Sequence, residues 1–159
     1  MIEVAILTVS DSSAAGVRAD ASGPALAARI GELGWSVAAT GLVPDEEDAI
    51  AAKLREWSDL GLGLILTTGG TGLSARDVTP EATRRVLERE IAGIPEWIRA
   101  RGMDQTKMAI LSRGLAGQRK RSLIVNLPGS PRGAIFSLKV IEHLIPHVVD
   151  LLQGRTAHN

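Results

Sequence analysis

The sequence lacks cysteine and tyrosine, and its 159 residues include only three tryptophans and one phenylalanine. Without cysteine the chain can form neither disulfides nor thiolate metal sites. With so few aromatic rings, a groove that stacks single-stranded nucleic acid is not expected. An excess of charge is lacking too, because 18 Lys and Arg residues balance 18 Asp and Glu residues. No overall field therefore draws the chain to DNA or to an anionic membrane.

Long hydrophobic runs are also missing. The first apolar run covers residues 4–9, which is too short for a signal peptide or a transmembrane helix. Domains average roughly 150 residues, so the length predicts a single domain over residues 1–159. A hydrophobic fraction of 45% is enough for its core. We therefore expect a cytoplasmic protein that binds neither nucleic acid nor a membrane.

Four short apolar runs bounded by turn residues predict buried strands. They cover residues 4–10, 36–43, 62–67 and 122–127. Segments in which apolar residues have helical spacing lie between these runs. The alternation predicts an α/β protein with a parallel sheet that is covered by helices.

Prolines and cap residues mark the ends of the first three predicted helices. The first helix should begin at Ser22 or Gly23, with a proline in its first turn, and end near Gly34. The second should follow Asp45, and the third should have Thr79 as its N-cap. Each helix thus fills the gap between two predicted strands.

The second half of the chain is harder to interpret. An apolar stripe over residues 134–152 predicts one last helix, which Pro146 should bend. Glycines interrupt residues 91–121, where only a short helix over residues 96–101 is predicted. Residues 105–141 contain Lys and Arg but no acid. This basic segment could offset the charge of an anionic substrate, and a solvated basic face is the alternative.

Polar residues and glycines follow the predicted strands. In an open parallel sheet the ligand crevice forms beyond the carboxyl ends of the strands, so these residues should meet at one edge. They are Ser10 and Asp11 after the first strand, Asp45 after the second, residues 68–72 and Asp77 after the third, and Asn126, Pro128 and Gly129 at the end of the fourth. The sequence thus predicts a functional site at that edge.

The sharpest of these features is a glycine-rich segment. It consists of Thr68, Gly69, Gly70, Thr71 and Gly72. Its glycines permit positive φ angles and let backbone N–H groups approach an oxyanion closely, which is typical of a phosphate cradle. No Gly-Lys-Ser/Thr follows as in a Walker loop, and the last glycine of the dinucleotide fingerprint is missing. A tight strand-to-helix turn without a ligand is the alternative.

Two acids near strand ends, Asp45 and Asp77, could hold Mg²⁺ against phosphate oxygens. Mg²⁺ usually takes one or two carboxylates together with substrate oxygens. Each acid has a structural alternative: Asp45 could cap the second helix, and Asp77 could pair with Arg76 or begin the third helix. In the basic segment, Ser112 could donate a hydrogen bond to phosphate, and Arg113 could neutralise its charge.

Several segments occur in an order that resembles one protein family. They are Ser-Asp (10–11), Ser-Gly-Pro (22–24), Val-Pro-Asp-Glu (43–46), Thr-Gly-Gly-Thr-Gly (68–72), Arg-Asp-Val-Thr-Pro-Glu-Ala-Thr (76–83), Leu-Ser-Arg (111–113) and Asn-Leu-Pro-Gly-Ser-Pro (126–131). The sequence resembles the molybdopterin adenylyltransferases, which include the bacterial Mog-type enzymes and the G domains of gephyrin-type proteins. The likeness extends from about residue 1 to residue 154, and the common order of the segments makes it specific.

The resemblance implies a three-layer α/β/α fold with a mostly parallel sheet, the molybdopterin-binding-like fold, and assembly into trimers or hexamers. It implies transfer of AMP from Mg²⁺-ATP to the terminal phosphate of molybdopterin, with release of pyrophosphate. The adenylylated product would pass to a molybdenum-insertion protein. The residues fit this reaction, because an anionic phosphate nucleophile needs alignment and charge neutralisation rather than an activated side chain.

The same resemblance implies roles for individual residues. Asp45 and Asp77 would be the essential acids, the glycine-rich segment would bind phosphate or pterin, and Ser112 and residues 126–129 would line the pocket. A MoaB-like protein that binds molybdopterin without transferring AMP is the main alternative, although the presence of both aspartates favours the enzyme. A nucleotide-dependent enzyme outside cofactor synthesis, like the related domain of competence-damage proteins, is a further alternative.

Overall fold

A computed structural model describes residues 1–155 of the chain, and six strands in it form one sheet. The strands are β1 (Glu3–Val9), β2 (Ser36–Val43), β3 (Leu64–Thr68), β4 (Arg89–Glu90), β5 (Ala116–Arg119) and β6 (Ser122–Leu127). The helices are α1 (Asp11–Ala14), α2 (Ser22–Glu32), α3 (Glu47–Asp59), α4 (Thr79–Val86), α5 (Gly93–Gly102), α6 (Pro131–Ile141) and α7 (Ile145–Leu152), and a 3₁₀ helix spans Lys107–Leu111.

The sheet has the strand order β2-β1-β3-β6-β5-β4. Strands β2, β1, β3 and β6 are parallel, whereas β5 is antiparallel to both of its neighbours. The mostly parallel sheet and its four predicted strands are therefore confirmed. The sequence does not predict β4 and β5, because β4 has two residues and β5 reads Ala-Gly-Gln-Arg, which is neither an apolar run nor an alternating pattern.

Side chains of the central strands alternate between two cores, one on each face of the sheet. Val4 and Ile6 of β1 belong to a core that includes residues of α2, α5, α6 and α7. Ala5 and Leu7 belong to a second core with residues of α3 and α4. Strands β3 and β6 alternate in the same way. The three-layer α/β/α fold is thus confirmed.

The C-terminal apolar stripe forms two helices rather than the single predicted helix. Helix α6 ends at Ile141, and α7 begins at Ile145 with Pro146 in its first turn. Proline lacks an N–H and is tolerated in a first turn, so it begins a new helix where the sequence predicts a bend. After the break, Val149 is buried and Val148 is half-buried.

The segment that the sequence leaves largely unassigned, residues 91–121, contains α5, the 3₁₀ helix and β5. Helix α5 covers the predicted short helix and extends beyond it at both ends. It packs against α6, and its Ile94 and Ile98 enter the core. Within residues 1–155, no helix is long and apolar enough to cross a membrane.

Candidate active site

The parallel strands bring the predicted site residues to one edge of the sheet. Thr8 of β1 lies in register with Thr68 of β3, which in turn lies in register with Leu127 of β6. At the end of β2, Val43 pairs with Val9. The segments that follow these four strands therefore begin side by side, as the sequence predicts.

Asp45, just beyond β2, is fixed by Asp11, just beyond β1. The backbone N–H of Asp11 donates to Oδ2 of Asp45 at 2.9 Å, and the N–H of Asp45 donates to Oδ1 of Asp11 at 2.9 Å. Asp45 does not cap α3, because the N-cap is Glu46 and that helix end has no side-chain cap. The capping alternative is wrong, and the Asp45 carboxylate joins two strand ends instead.

Arg76 pairs with Asp11 rather than with Asp77. Its Nε and Nη2 donate to the two carboxylate oxygens of Asp11 at 2.9 Å each. Oδ2 of Asp77 accepts a hydrogen bond from the N–H of Ser74 at 3.0 Å, and α4 begins two residues after Asp77. Both structural alternatives for Asp77, the pair with Arg76 and the helix start, are therefore wrong.

The glycine loop (residues 68–72) is held between the ends of its neighbouring strands. Gly69 has a φ of 105° and Gly70 a φ of 69°, a region that favours glycine. A Cβ on Gly69 would overlap the carbonyl oxygen of Val9. Thr79, the predicted N-cap of α4, is instead its first residue, and its hydroxyl donates to the carbonyl of Gly69 at 3.0 Å. The loop thus has a fixed path that requires glycine at position 69.

Arg113 holds the far end of the glycine loop. Its Nε donates to the carbonyl of Gly72 at 2.8 Å, and its Nη2 donates to the carbonyl of Asp77 at 2.8 Å. Nη1 and Nη2 also donate to the carboxylate of Glu81 at 2.7 and 3.1 Å. Most of the guanidinium donors are therefore used within the chain. Arg113 positions the loop and Asp77, and its contact with phosphate stays a prediction.

The end of β6 forms a rigid wall beside the loop. The Thr68 hydroxyl donates to the carbonyl of Pro128 at 2.6 Å. Asn126 is buried, and its Nδ2 donates to the hydroxyls of Thr67 and Thr83 at 3.0 Å each, while its Oδ1 accepts a backbone N–H at 3.0 Å. Because its amide is satisfied by the protein, Asn126 fixes the wall of the site.

Two cavities adjoin the glycine loop. The polar cavity has a volume of about 380 Å³ and is lined by Gly69 and Gly70, among others. The apolar cavity has a volume of about 430 Å³ and is lined by Thr71 and Gly72. Ser130, the N-cap of α6, lines both. The loop and the start of α6 therefore form the boundary between two adjacent spaces.

The residues that the sequence predicts for the site divide between these cavities. The polar cavity is lined by Ser10, Asp45, Thr68, Gly69, Gly70, Asp77 and Gly129. The apolar cavity is lined by Thr71, Gly72, Ser112, Asn126 and Pro128. Asp11 and Arg113 line neither cavity and act on Asp45 and Asp77 through hydrogen bonds. The ligands of these residues stay predictions.

Three charged residues of the site are not predicted from the sequence. Arg18 and Asp20 line the polar cavity, where Asp20 accepts hydrogen bonds from the Thr8 hydroxyl at 2.8 Å and the Gly23 N–H at 3.1 Å. Arg99 lines the apolar cavity. Arg18 and Asp20 lie in a loop without a recognisable pattern. For Arg99, the only sequence signal of a place in the site is its helical spacing from other residues of α5.

The two acids of the polar cavity fit a hard divalent cation. Burial raises the pKa of Asp45, and repulsion from Asp11 and Asp77 adds to this effect. Gly70 leaves space beside Asp45, since a Cβ there would lie 3.1 Å from its Oδ1, and Gly72 does the same for Asp77 at 2.9 Å. Within residues 1–155 no cluster of three or more metal-ligating side chains occurs. One or two carboxylates with substrate oxygens would hold the cation, as is usual for Mg²⁺.

A mostly parallel sheet between two helix layers, with a glycine loop, two acids and paired cavities at its carboxyl edge, is typical of α/β domains that bind ligands at this edge. Residues 5–147 match the family model that is described as a probable molybdopterin binding domain. The chain belongs to this family. The family predicted from the sequence segments is therefore confirmed.

The relatives agree with this assignment. The molybdenum cofactor synthesis protein cinnamon of Drosophila melanogaster is 44% identical, over 95% of this chain but only 26% of its own length. A molybdopterin adenylyltransferase of Helicobacter pylori is 38% identical, over 96% of this chain and 89% of its own. The structure of the molybdopterin biosynthesis enzyme MoaB of Thermus thermophilus has a TM-score of 0.92 and 50% identity, over 97% of this chain and 98% of its own.

Proposed function

We propose that the chain is a molybdopterin adenylyltransferase of molybdenum cofactor biosynthesis, which transfers AMP from Mg²⁺-ATP to the terminal phosphate of molybdopterin. The observation that carries the proposal is the pair of cavities that adjoin one glycine loop. The polar cavity, with Asp45 and Asp77, suits a polyphosphate and its cation. The apolar cavity suits a flat pterin, and the reacting phosphates meet at the loop.

In this reaction an oxygen of the pterin phosphate attacks the α-phosphorus of ATP. A P–O bond forms there while the bond to the oxygen that bridges the α- and β-phosphates breaks, and pyrophosphate leaves with that electron pair. A phosphate monoester has a second pKa of about 6, so the nucleophile needs no base at neutral pH. The chain has to align the reactants and neutralise charge, which the amides of the glycine loop can do.

The charge of the polar cavity supports a metal–nucleotide complex as the ligand. Its lining includes three acids, Asp20, Asp45 and Asp77, and one cation, Arg18. A free polyphosphate would meet an excess of negative charge there. Mg²⁺ bound to Asp45, Asp77 and the nucleotide would supply the positive charge that offsets the developing charge on phosphate oxygens.

Pyrophosphate release tests the proposal directly. Purified protein is incubated anaerobically with molybdopterin, ATP and Mg²⁺, and pyrophosphate and adenylylated pterin are quantified. We expect both products in equal amounts and neither when molybdopterin, ATP or Mg²⁺ is omitted. Pyrophosphate that forms without molybdopterin would indicate a nucleotide hydrolase and would contradict the proposal.

A second candidate function is that of a pterin-binding protein without transferase activity. The family model, which is described as a probable molybdopterin binding domain, is compatible with it. The presence of Asp45 and Asp77 in one cavity with the glycine loop favours the enzyme. Tight molybdopterin binding with no pyrophosphate from the complete reaction would support the binding protein instead.

We further propose that the chain acts in the cytoplasm as a trimer or hexamer and passes its product to a molybdenum-insertion protein. Exposed apolar side chains on and after α5 support self-association. They are Trp97, Met103 and Ile110. Light scattering should give three or six times the chain mass of 16.8 kDa, and a monomer at micromolar concentration would contradict this assembly.

A further inference from the structure

Of the residues that the structure describes, a single charged one lines the apolar cavity. Its walls are formed by apolar side chains such as Ile98, Leu111 and Phe136, together with small polar residues, and Arg99 of α5 is the one charged member of the lining. The Arg99 side chain is half-buried. A guanidinium in such surroundings is less hydrated than one in water, and this loss costs free energy unless an anion pairs with it. The cavity therefore favours a ligand that carries a negative charge on an apolar body.

Arg99 has no acidic partner within residues 1–155. Its Nη1 donates to the carbonyls of Ser112 and Gly114 at 3.3 and 3.2 Å, and its Nε and Nη2 donate to no atom of this part of the chain. Two other arginines at the site are paired with acids: Arg76 pairs with Asp11, and Arg113 pairs with Glu81. The donors of Arg99 thus stay available to a ligand.

The contacts of Arg99 place its guanidinium near the glycine loop. Ser112 and Gly114, whose carbonyls it contacts, flank Arg113 in the sequence. The N–H of Arg113 donates to the carbonyl of Thr71 at 2.9 Å. Thr71 and Arg99 line the same apolar cavity, so Arg99 and the glycine loop border a common space.

We propose that Arg99 binds the phosphate monoester of the pterin substrate and holds it beside the glycine loop. This inference rests on the proposed function, because it names the group that orients the attacking phosphate. Arginine suits the task, since its planar fork of donors matches the oxygens of a phosphate in a bidentate contact. The contact to the carbonyls of Ser112 and Gly114 fixes the orientation of the side chain before the ligand arrives.

A binding experiment without ATP tests this role separately from catalysis. The dissociation constants of molybdopterin and of its dephosphorylated form are measured anaerobically for the parent protein and for Arg99→Met and Arg99→Lys. The parent should bind the phosphorylated ligand at least about 10-fold more tightly, as expected for charge-assisted hydrogen bonds. Arg99→Met should lose this preference and bind the dephosphorylated ligand as the parent does, and Arg99→Lys should keep part of the preference.

Arg101→Met is the matched control, because Arg101 lies on the same helix, is exposed and pairs with Asp104 at 3.3 Å. It should leave the preference for the phosphorylated ligand unchanged. An Arg99→Met protein that keeps the preference, or that loses both ligands equally with a lowered Tm, would overturn the assignment. Failure of the proposed function is recognised by a separate measurement, the release of pyrophosphate by the parent protein. If the chain is not an adenylyltransferase, the parent releases none, whether or not Arg99 distinguishes the two ligands.

Discussion

Asp11 and Asp45 are joined by two reciprocal hydrogen bonds, in which the backbone N–H of each donates to the carboxylate of the other. Their carboxyls nevertheless have pKa shifts of opposite sign. The hydrogen bonds from Arg76 hold the pKa of Asp11 below its ordinary value, whereas burial and the nearby acids raise the pKa of Asp45. One acid of the pair is thus neutralised within the protein, and the other would be stabilised in its charged form by a bound cation.

The opposite shifts predict opposite effects on stability. A carboxyl whose pKa rises on folding destabilises the folded state once it ionises, so stability falls as the pH rises through its pKa range. We expect Asp45→Asn to raise the Tm at pH 7 in the absence of Mg²⁺. The gain should disappear below the ordinary pKa of 3.8, where the parent carboxyl is protonated in both states.

Asp11→Asn should have the opposite effect on the Tm. The lowered pKa of Asp11 means that its charge stabilises the fold above the ordinary value of 3.8, and this stabilisation is lost as the pH falls through the lowered pKa. The substitution should therefore lower the Tm at pH 7, and its effect on the Tm should become smaller at acidic pH. Thermal melts of both variants across this pH range check the two signs, and shifts in the same direction would contradict the interpretation of the pair.

The two acids of the polar cavity should both be needed for adenylyl transfer. Asp45→Asn and Asp77→Asn keep the shape of each side chain but remove a charged oxygen that would hold the cation. Loss of one preorganised electrostatic contact costs about 2.7 to 4 kcal/mol, so pyrophosphate release should fall at least about 100-fold. Asp104→Asn serves as the control, because Asp104 pairs with Arg101 on α5 and lies outside both cavities. Unchanged turnover in both folded variants would remove the proposed mechanism.

Glycine is required at position 69 by the path of the loop. Gly69→Ala combines a φ of 105° with an overlap between the new Cβ and the carbonyl of Val9. We expect the free energy of unfolding to fall by more than about 2 kcal/mol. Gly31→Ala is the contrasting variant, since Gly31 lies in α2 with nothing near its Cβ position, and it should stabilise by about 0.5 to 1 kcal/mol. Urea titrations measure both values, and equal stabilities would contradict the expectation.

Arg113 should act on the rate of the reaction by positioning Asp77 and the loop. Lysine cannot reproduce the fork that reaches the carbonyls of Gly72 and Asp77 together with Glu81. We expect Arg113→Lys to lower kcat by about 10-fold, since small misplacements of reacting groups are costly, and to change the KM for ATP little. Arg85→Lys, at an exposed ion pair with Asp48, is the control. A raised KM with an unchanged kcat would point to direct substrate binding instead.

The sequence predicts the framework of this site because the framework depends on local patterns. Apolar runs identify the four parallel strands, and the strand order along the chain places Asp45, Asp77 and the glycine loop at a common edge. Strand β5 cannot be predicted in this way, because its pairing with β6 depends on the tertiary structure rather than on its own residues. The break before α7 is not predicted either, because the continuous apolar stripe favours a single helix that Pro146 bends, whereas Pro146 begins a new helix in the structure.

The partners of the charged residues cannot be derived from the sequence. Asp77 directly follows Arg76 along the chain, yet Arg76 pairs with Asp11, which lies 65 residues away. The partner of Arg113 is equally hidden in the sequence. Arg113 lies in a segment without acids, but in the structure it pairs with Glu81. Arg99, in contrast, has only backbone partners within residues 1–155. Whether an arginine is paired with an acid depends on which residues the fold brings together. Only the structure therefore distinguishes Arg76 and Arg113, which are paired, from Arg99, which has no acidic partner within residues 1–155.

Arg18 should contribute to the binding of ATP. It is the one cation that lines the polar cavity, and it forms no salt bridge with any acid of residues 1–155. We expect Arg18→Ala to raise the KM for ATP by about 5- to 10-fold, less than a buried charge-assisted contact would, because the side chain is exposed. The effect should shrink as the salt concentration rises. Arg155→Ala, at the opposite ends of the strands where Arg155 pairs with Asp150, should leave the KM unchanged. If both variants behave like the parent at low salt, the polyphosphate is held by the loop amides and the metal without help from Arg18.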